Sequence, residues 1–580
     1  MTAPAQSADV ATTRDWSRWQ PDRISGALIV CLVLALSLAI FFRLTLFSGF
    51  GWLFGDTLDS MIENAILEHW YNVWRGRADW HTTNYYFPHR FTLGYNDGYL
   101  YYGIVYSLFR FAGFDAFLSS ELLNIVLRAV GFLAFFAFAR RAVGLPFLWS
   151  LLGAALFTLH TAMYWRMLSP QLLTVGFAPL LALLLVQSCR TFIAGHVLRG
   201  FAWGALAAIF FAGWLLTTFY MAWFFAFFAA AFVCVAVATS RFLPILPDLK
   251  LLARHWRAIA AIGVVFAFAV VPFLYLYLPK ASETGQHPFE TIALYSPSVI
   301  DTFHVGEYNL VWGWLDRQVH DWLRPGFPLF SERTTGFPLA LLLLWAIACL
   351  WLMRRPIRER HPWLVILALT TAVTWMLNLH YGSWTAWYYV WLLVPGAKAV
   401  RIVARYQIFL AFPVIVIAMA FLASIRWTPS RVWLLSILSA LLLLEQVNFV
   451  RTHLIDRPHE LAILRRFVAP PAECRLFFAV WKRPGGMLLN AEFDAAYNPY
   501  ALGMLVAETL GIPTINGITA FFPPDANLGR SDNPDYLSRV ARYVERHKLE
   551  GVCGLDMRSG EWLPASILDG KVPPLRTGGG

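Results

Sequence analysis

The chain has 580 residues, of which 58% are hydrophobic, 16% aromatic and only 14% charged, and its mean hydropathy is +0.55. Soluble globular proteins carry about a quarter charged residues and disordered chains are poor in aromatics, so both classes are excluded and a polytopic helical membrane protein remains. The formal net charge of +11 suggests a polyanionic partner, a reading that the positions of the basic residues decide.

A polar N-terminus, residues 1–23, carries Arg14, Arg18 and Arg23 and leads into an apolar run over residues 24–47. The run is long enough to cross a bilayer, exceeds the core of a signal peptide and is followed by no small-residue cleavage site, so it reads as a retained signal anchor. Further spans are expected near residues 118–139, 147–165, 171–187, 201–216, 220–239, 258–278, 337–353, 364–379, 406–425 and 432–449. The sum is about eleven. With the N-terminus in the cytoplasm, the inner connections carry Arg140 and Arg141, then Arg190 and Arg199, then Arg241, Lys250, Arg254 and Arg257. Arg354, Arg355, Arg358 and Arg360 follow, then Arg426 and Arg431, whereas the outer turn at Thr217 and Thr218 has no basic residue. This is the positive-inside pattern. The basic excess orients the helices, and nucleic acid is not an expected partner.

Residues 24–449 therefore form a multi-span membrane domain with large outer loops at 48–117 and 279–335. A shorter outer segment, 381–405, contains an apolar patch at 384–394 that is too short to span and reads as re-entrant or interfacial. Residues 450–580 change character: Pro470, Pro471, Gly485 and Gly486 punctuate short apolar runs, and a helical pattern covers 536–548 with Asp535 near its start. This part reads as a small α/β extracytoplasmic domain. Cys31, Cys189, Cys234 and Cys349 lie in apolar runs and are expected as small buried hydrophobes. Cys474 and Cys553 lie in the polar tail, either bridged or as two buried thiols.

The densest polar constellation follows the first span: Gly55-Asp56-Thr57-Leu58-Asp59, then Glu63, Glu68 and His69. Asp56 is placed to cap a helix, and Leu58, Ile62, Ala65, Ile66 and Trp70 recur at helical spacing, which predicts an amphipathic helix lying on the membrane. An acid held at such a helix start can also take a proton from an acceptor hydroxyl. Asp56 and Asp59 are close enough in sequence to share a divalent cation such as Mg or Mn.

Lys398, Arg401 and Arg405 recur at roughly helical spacing on the side that should be poor in cations. They read either as an outer-end anchor to lipid headgroups or as a cradle for a lipid-linked phosphate. Arg128, in the middle of the second span with Asn124 and Glu121 on one face, must turn into the bundle. Glu445 near the end of the last span is similar. Among His69, His81, His89, His160 and His380 no two form an i,i+4 ligand pair, so zinc is not expected. His160, near Arg166 and Gln171 at an outer turn, is the best sugar-site or donor-site histidine.

The ordered set Gly55-Asp56-Thr57-Leu58-Asp59, Glu68-His69-Trp70, Tyr86-Phe87-Pro88 and Leu93-Gly94-Tyr95-Asn96-Asp97 resembles the first outer loop of GT-C type integral-membrane glycosyltransferases. His160 with Ser169-Pro170-Gln171, Val394-Pro395-Gly396 through Arg401 and Ala404-Arg405, and Gly511 to Gly517 followed by Phe521-Phe522-Pro523-Pro524 extend the resemblance along the chain. It implies an inverting transferase that takes a sugar from a polyprenyl-phosphate donor at the outer face of a bacterial inner membrane and passes it to a glycan, lipid or protein acceptor. The family's base, an acid of the first outer loop, maps onto Asp56, with Asp59 assisting; here two residues separate the acids, where members often show a tight pair. Glu68, His69, His160 and Gln171 are the expected substrate contacts, and Lys398, Arg401 and Arg405 the expected phosphate contacts. The rival readings are a membrane transporter or lipid flippase, against which no matched halves or paired broken spans are found, and a catalytically silent assembly subunit.

Overall fold

The computed structural model describes residues 19–326, 332–354, 361–382, 384–425, 432–451, 454–481 and 491–569. Arg14, Arg18, Arg355, Arg358, Arg360, Arg426, Arg431, Gly485 and Gly486 lie outside the described residues.

The described residues are 66% helical. Seven described helices are long and apolar enough to cross a membrane: Arg23–Phe41, Ala116–Val143, Phe147–Trp165, Pro170–Ile193, Val197–Thr217, Phe219–Thr239 and Val403–Ser424. The first is started by Asp22, whose carboxylate accepts from the N–H groups of Ile24 and Ser25 at 3.0 Å each. Thr218 takes an extended conformation and ends one helix before Phe219–Thr239 begins, as the absence of basic residues from this turn favoured. Three shorter apolar helices, Leu339–Arg354, Pro362–Asn378 and Val432–Leu444, fall where the remaining spans were expected.

The single span expected over 258–278 is two helices. Trp256–Ala269 gives way to Val271–Thr284 at Val270, because Pro272 stands in the first turn of the second helix and cannot continue the backbone ladder of the first. Upstream, Leu246–Arg254 meets Trp256–Ala269 at a bend of 71°. The expectation for the cysteines is also corrected. Cys31, Cys189 and Cys234 are exposed on the outer surface of their helices and Cys349 is partly so. In a helix surrounded by lipid an apolar side chain gains nothing by turning inward, so an apolar run does not predict burial.

One large apolar core joins the helices and takes in the first outer loop through Tyr85, Leu93, Tyr95 and Tyr102. The C-terminal part adds a three-stranded sheet. Leu476–Val480 pairs in parallel with Val552–Asp556, and Trp562–Leu563 lies antiparallel at the far edge. Phe477 and Ala479 face a cluster with Ile463, Phe467 and Val506 on one side. Leu476, Phe478 and Val480 face Tyr536, Val540 and Tyr543 on the other. Such burial of both faces is how parallel strands are normally housed. Cys474 and Cys553 are joined by a disulfide across the start of these strands. The helix expected over 536–548 spans Tyr536–His547, with Asp535 at its N-cap position and paired to Arg539 at 3.1 Å.

The tail and the first loop are built into one another. Trp52–Phe54 pairs antiparallel with Leu454–Asp456. The Tyr86-Phe87-Pro88 motif docks against the Gly511 to Gly517 motif: Tyr86 N–H donates to Asn516, Phe87 N–H to Thr514, and Thr514 N–H to Asn84. A Cβ at Gly517 would stand 2.6 Å from the Tyr86 ring, so only glycine admits this approach.

Candidate functional site

The helix Asp59–Trp74 starts directly after the Gly55-Asp56 turn. Asp56 Oδ1 accepts from the N–H groups of Leu58 at 2.9 Å and Ser60 at 3.0 Å, and Ser60 Oγ accepts in return from the Asp56 N–H at 3.0 Å. Asp56 thus caps the helix from two residues outside its N-cap position, which Leu58 occupies. The turn is tight because Gly55 has φ +135° and a Cβ there would lie 2.6 Å from Ser60 Oγ.

The expected amphipathic surface helix is instead enclosed. It packs between Leu100–Phe111 and Ala491–Leu510, and residues Ser60 through Trp70 are all buried. Its polar side chains are absorbed by neighbours. Glu68 accepts from Arg110 Nη2 at 2.9 Å, Arg110 Nε at 3.0 Å and the Tyr106 hydroxyl at 2.7 Å. His69 Nε2 lies 3.3 Å from the Trp80 carbonyl and Nδ1 3.6 Å from Glu508. Asn72 donates to the Glu508 carbonyl at 2.8 Å. Distant chain, invisible to a local pattern, supplies the partners.

Beside the N-terminus of this helix is a cavity of about 750 Å3. Asp59, Asp97 and Gln171 line it, together with Lys280, Lys398, Arg401 and Arg405. Aromatic and apolar side chains complete the wall, among them Phe219, Phe273, Leu274, Leu278, Leu393 and Phe521. Leu278 and Leu393 are 62% and 73% exposed, so the apolar wall runs out to the flank of the protein.

Lys398 and Arg401 come from the stretch between Trp387–Leu393 and Val403–Ser424, Arg405 from the first turn of the latter, and Lys280 from Val271–Thr284. The Tyr220 hydroxyl accepts from the N–H groups of Arg401 at 2.9 Å and Ile402 at 3.3 Å and fixes this backbone. Lys398 lies over the Trp391 ring at 4.9 Å, Arg401 over Tyr295 at 5.7 Å and Arg405 over Tyr220 at 5.5 Å. Glu332 receives Arg166 at 3.2 Å and Arg405 at 3.4 Å. Burial pushes its carboxyl up, but the two guanidinium groups outweigh burial and hold it at about 2. Arg405 is thereby half neutralised, while Lys398 and Arg401 form no ion pair among the described residues.

The acids differ in setting. Asp56 is 7% exposed and does not line the cavity. Burial first, and the neighbouring Asp59 second, push its carboxyl up to about 7 against the pull of its backbone hydrogen bonds. Asp59 opens onto the cavity. Burial raises its carboxyl and the charge of Glu332 adds to the rise, while Arg405 and Arg401 oppose it. Glu63, one turn further on and 2% exposed, has neither carboxyl oxygen hydrogen-bonded, and burial first, then the neighbouring acids, push its carboxyl well above the usual carboxylate range. Asp97 accepts from the Phe219 N–H at 2.8 Å, and burial brings it to about 6.

The structure therefore brings Asp59, Gln171, Lys398, Arg401 and Arg405 to one cavity and sets Asp56 just behind it. Glu68 and His69 are placed elsewhere, in the packing of the first loop. His160 is fully buried with its ring against Phe337 and is also absent from the cavity lining. Arg128 turns inward as expected, yet donates to the carbonyls of Phe157 and Thr158 and forms no bond with Glu121. Glu445 accepts from the first N–H groups of Leu339–Arg354, those of Ala340 and Leu341, and from Trp312.

Sequence reasoning missed Glu332 and Tyr220, for which no local motif exists, and Asp97, which stands inside a recognised motif. It also missed two clusters of histidine and aspartate, His304 with Asp316 and His320, and His89 with Asp525 and His547. The i,i+4 spacing of Asp316 and His320 was a usable signal. Comparison with family models matches none of them to the chain, and comparison with curated proteins finds no similar sequence.

Proposed function

We propose that the chain is a membrane glycosyltransferase of GT-C type that moves a sugar from a polyprenyl-phosphate donor to an acceptor outside the cytoplasm. The resemblance of its loop motifs implies this class. The observation that carries the reading is the cavity itself, in which the carboxyl groups of Asp59 and Asp97 share about 750 Å3 with Lys398, Arg401 and Arg405 beside an apolar wall.

An isoprenoid chain suits the wall of Leu274, Leu278 and Leu393, and its phosphate suits Arg401, whose planar fork offers two parallel donors. Asp59 takes the proton of the acceptor hydroxyl as that oxygen attacks the anomeric carbon from the face opposite the phosphate. The bond between sugar and phosphate oxygen breaks, the anomeric centre inverts, and polyprenyl phosphate leaves with its charge held by Arg401 and Arg405. Asp56 positions the turn from which its neighbour Asp59 reaches the cavity. A cation shared by Asp56 and Asp59 does not fit this arrangement, because Asp56 Oδ1 is occupied by two N–H groups and the residue stays off the cavity.

In this reading the protein lies in a bacterial inner membrane with its N-terminus in the cytoplasm. Seven described helices are long and apolar enough to span, eight if the bent pair is one span; the eleven expected spans follow if the three shorter apolar helices cross as well. The C-terminal sheet then lies outside the cytoplasm, which its disulfide supports, since such bonds persist in oxidising compartments. Purified protein in liposomes containing a polyprenyl-phosphate sugar is expected to transfer sugar to an envelope acceptor. Movement of the substrate across the bilayer without transfer would overturn the reading in favour of a transporter.

A further inference from the structure

A second constellation stands apart from the cavity, where the first outer loop meets the C-terminal part. His89 follows the docked Tyr86-Phe87-Pro88 segment, Asp525 lies four residues beyond the cavity-lining Phe521, and His547 ends the helix Tyr536–His547. His89 Nε2 is 3.0 Å from Asp525 Oδ1, and His547 Nε2 is 2.8 Å from Asp525 Oδ2. The second contact is a hydrogen bond. The first is not: at 3.0 Å both atoms still lack hydrogen-bond geometry. Both atoms are buried without a hydrogen-bond partner, which leaves their lone pairs uncommitted. One ligand atom from each residue lies within 4.8 Å of the others, and ligand atoms around a tetrahedral ion with bonds of about 2.0–2.1 Å stand roughly 3.3 Å apart.

We propose that His89, Asp525 and His547 bind a divalent transition-metal ion of the zinc class, which clasps the first outer loop to the C-terminal part. Two imidazoles and a carboxylate are a borderline donor set that selects zinc over magnesium or calcium. The three side chains are 20%, 26% and 20% exposed, while His89 Nε2 and Asp525 Oδ1 themselves are shielded from solvent, so the cluster lies just beneath the surface. The ligands are held by other contacts. Tyr543 packs on the His547 ring at 4.4 Å and its hydroxyl donates to the Phe87 carbonyl at 3.0 Å, two residues before His89. Arg546, the nearest cation to Asp525 at 3.9 Å, is 66% exposed and yields readily to a better-placed charge. The other cluster differs: Asp316 is taken up by His304 and the Gly306 N–H, and His304 Nε2 by Thr334, inside the protein. It lies wholly inside the protein, with its carboxylate already engaged by N–H groups.

Full-length protein in detergent, stripped with a chelator and titrated with Co2+ alone, is expected to develop the strong visible absorption of a four-coordinate site at one equivalent, which Zn2+ then displaces. The His89→Gln/His547→Gln variant is expected to lose the band and to bind Zn2+ at least about tenfold more weakly, while His304→Gln/His320→Gln keeps both. Absence of the band in the wild-type protein overturns the proposal even if the variants fail to fold. Equal metal uptake by wild type and the His89/His547 variant overturns it too, as does loss of the signal only in the His304/His320 variant.

Discussion

The two sides of the cavity are built by opposite means. The acids of Gly55 to Glu63 are set by bonds within one turn of chain, where Asp56, Leu58 and Ser60 hold one another. The cations of Lys398 to Arg405 are set by groups far away in sequence, Tyr220, Tyr295 and Glu332. The acidic side is therefore a local device that substitution disturbs in place, whereas the basic side is an agreement among several elements that fails when any of them is removed.

The largest expected effect breaks the acidic side at its exposed member. Asp59→Asn should lower transfer by about 10²–10⁴-fold, the usual worth of a general base, with the protein still folded in membranes. Asp56→Asn keeps an oxygen to accept from Leu58 and Ser60 and should cost less than about tenfold in the same assay; an equal loss would move the role of base to Asp56. On the basic side, Arg405→Ala leaves the partly exposed Glu332 with one partner fewer, and losing hydrogen bonds to a charged group costs about 1.5–3 kcal/mol, which a shift in thermal unfolding would reveal. Arg401→Ala should raise the KM for the donor with little change in unfolding, since Arg401 has no ion pair to lose.

The pH dependence sharpens the same contrast. Asp56 is raised to about 7 in the folded protein, above its unfolded value, so the fold favours its protonated form. That contribution to stability is complete below about pH 4 and is lost as pH rises through about 7. The melting temperature should fall across this window in the wild type and less so in Asp56→Asn. Gly55→Ala forces a side chain onto a positive φ and into Ser60, at a cost of about 1–3 kcal/mol, measurable as a lowered melting temperature. Lys398→Ala, which removes a partly exposed cation from the Trp391 ring, should change transfer least, by about two- to threefold.

The same division explains what could be read from the chain alone. The membrane class, the helices near the expected spans and the Gly55-Asp56-Thr57-Leu58-Asp59 turn depend on composition or on neighbours in sequence, and all were legible. The direction in which Asp59–Trp74 faces was not, because the partners of Glu68, His69 and Asn72 come from Arg110, Trp80 and Glu508. Lys398, Arg401 and Arg405 were visible as misplaced charge. Glu332, which decides how much of that charge is spent, carries no signal of its own. Asp56 drew attention through its place in a motif, and only the fold distinguishes it from Asp59, three residues on, which alone of the two reaches the cavity.

The Cys474–Cys553 bond turns the intervening stretch of chain, with its 79-residue separation, into a covalent ring. Tyr497, Thr519 and Phe521, which close one side of the cavity, all ride on it. A protease that cuts a loop within this ring leaves both pieces on one molecule, so the nicked protein should run at full size on a denaturing gel and separate into two bands only after a thiol is added.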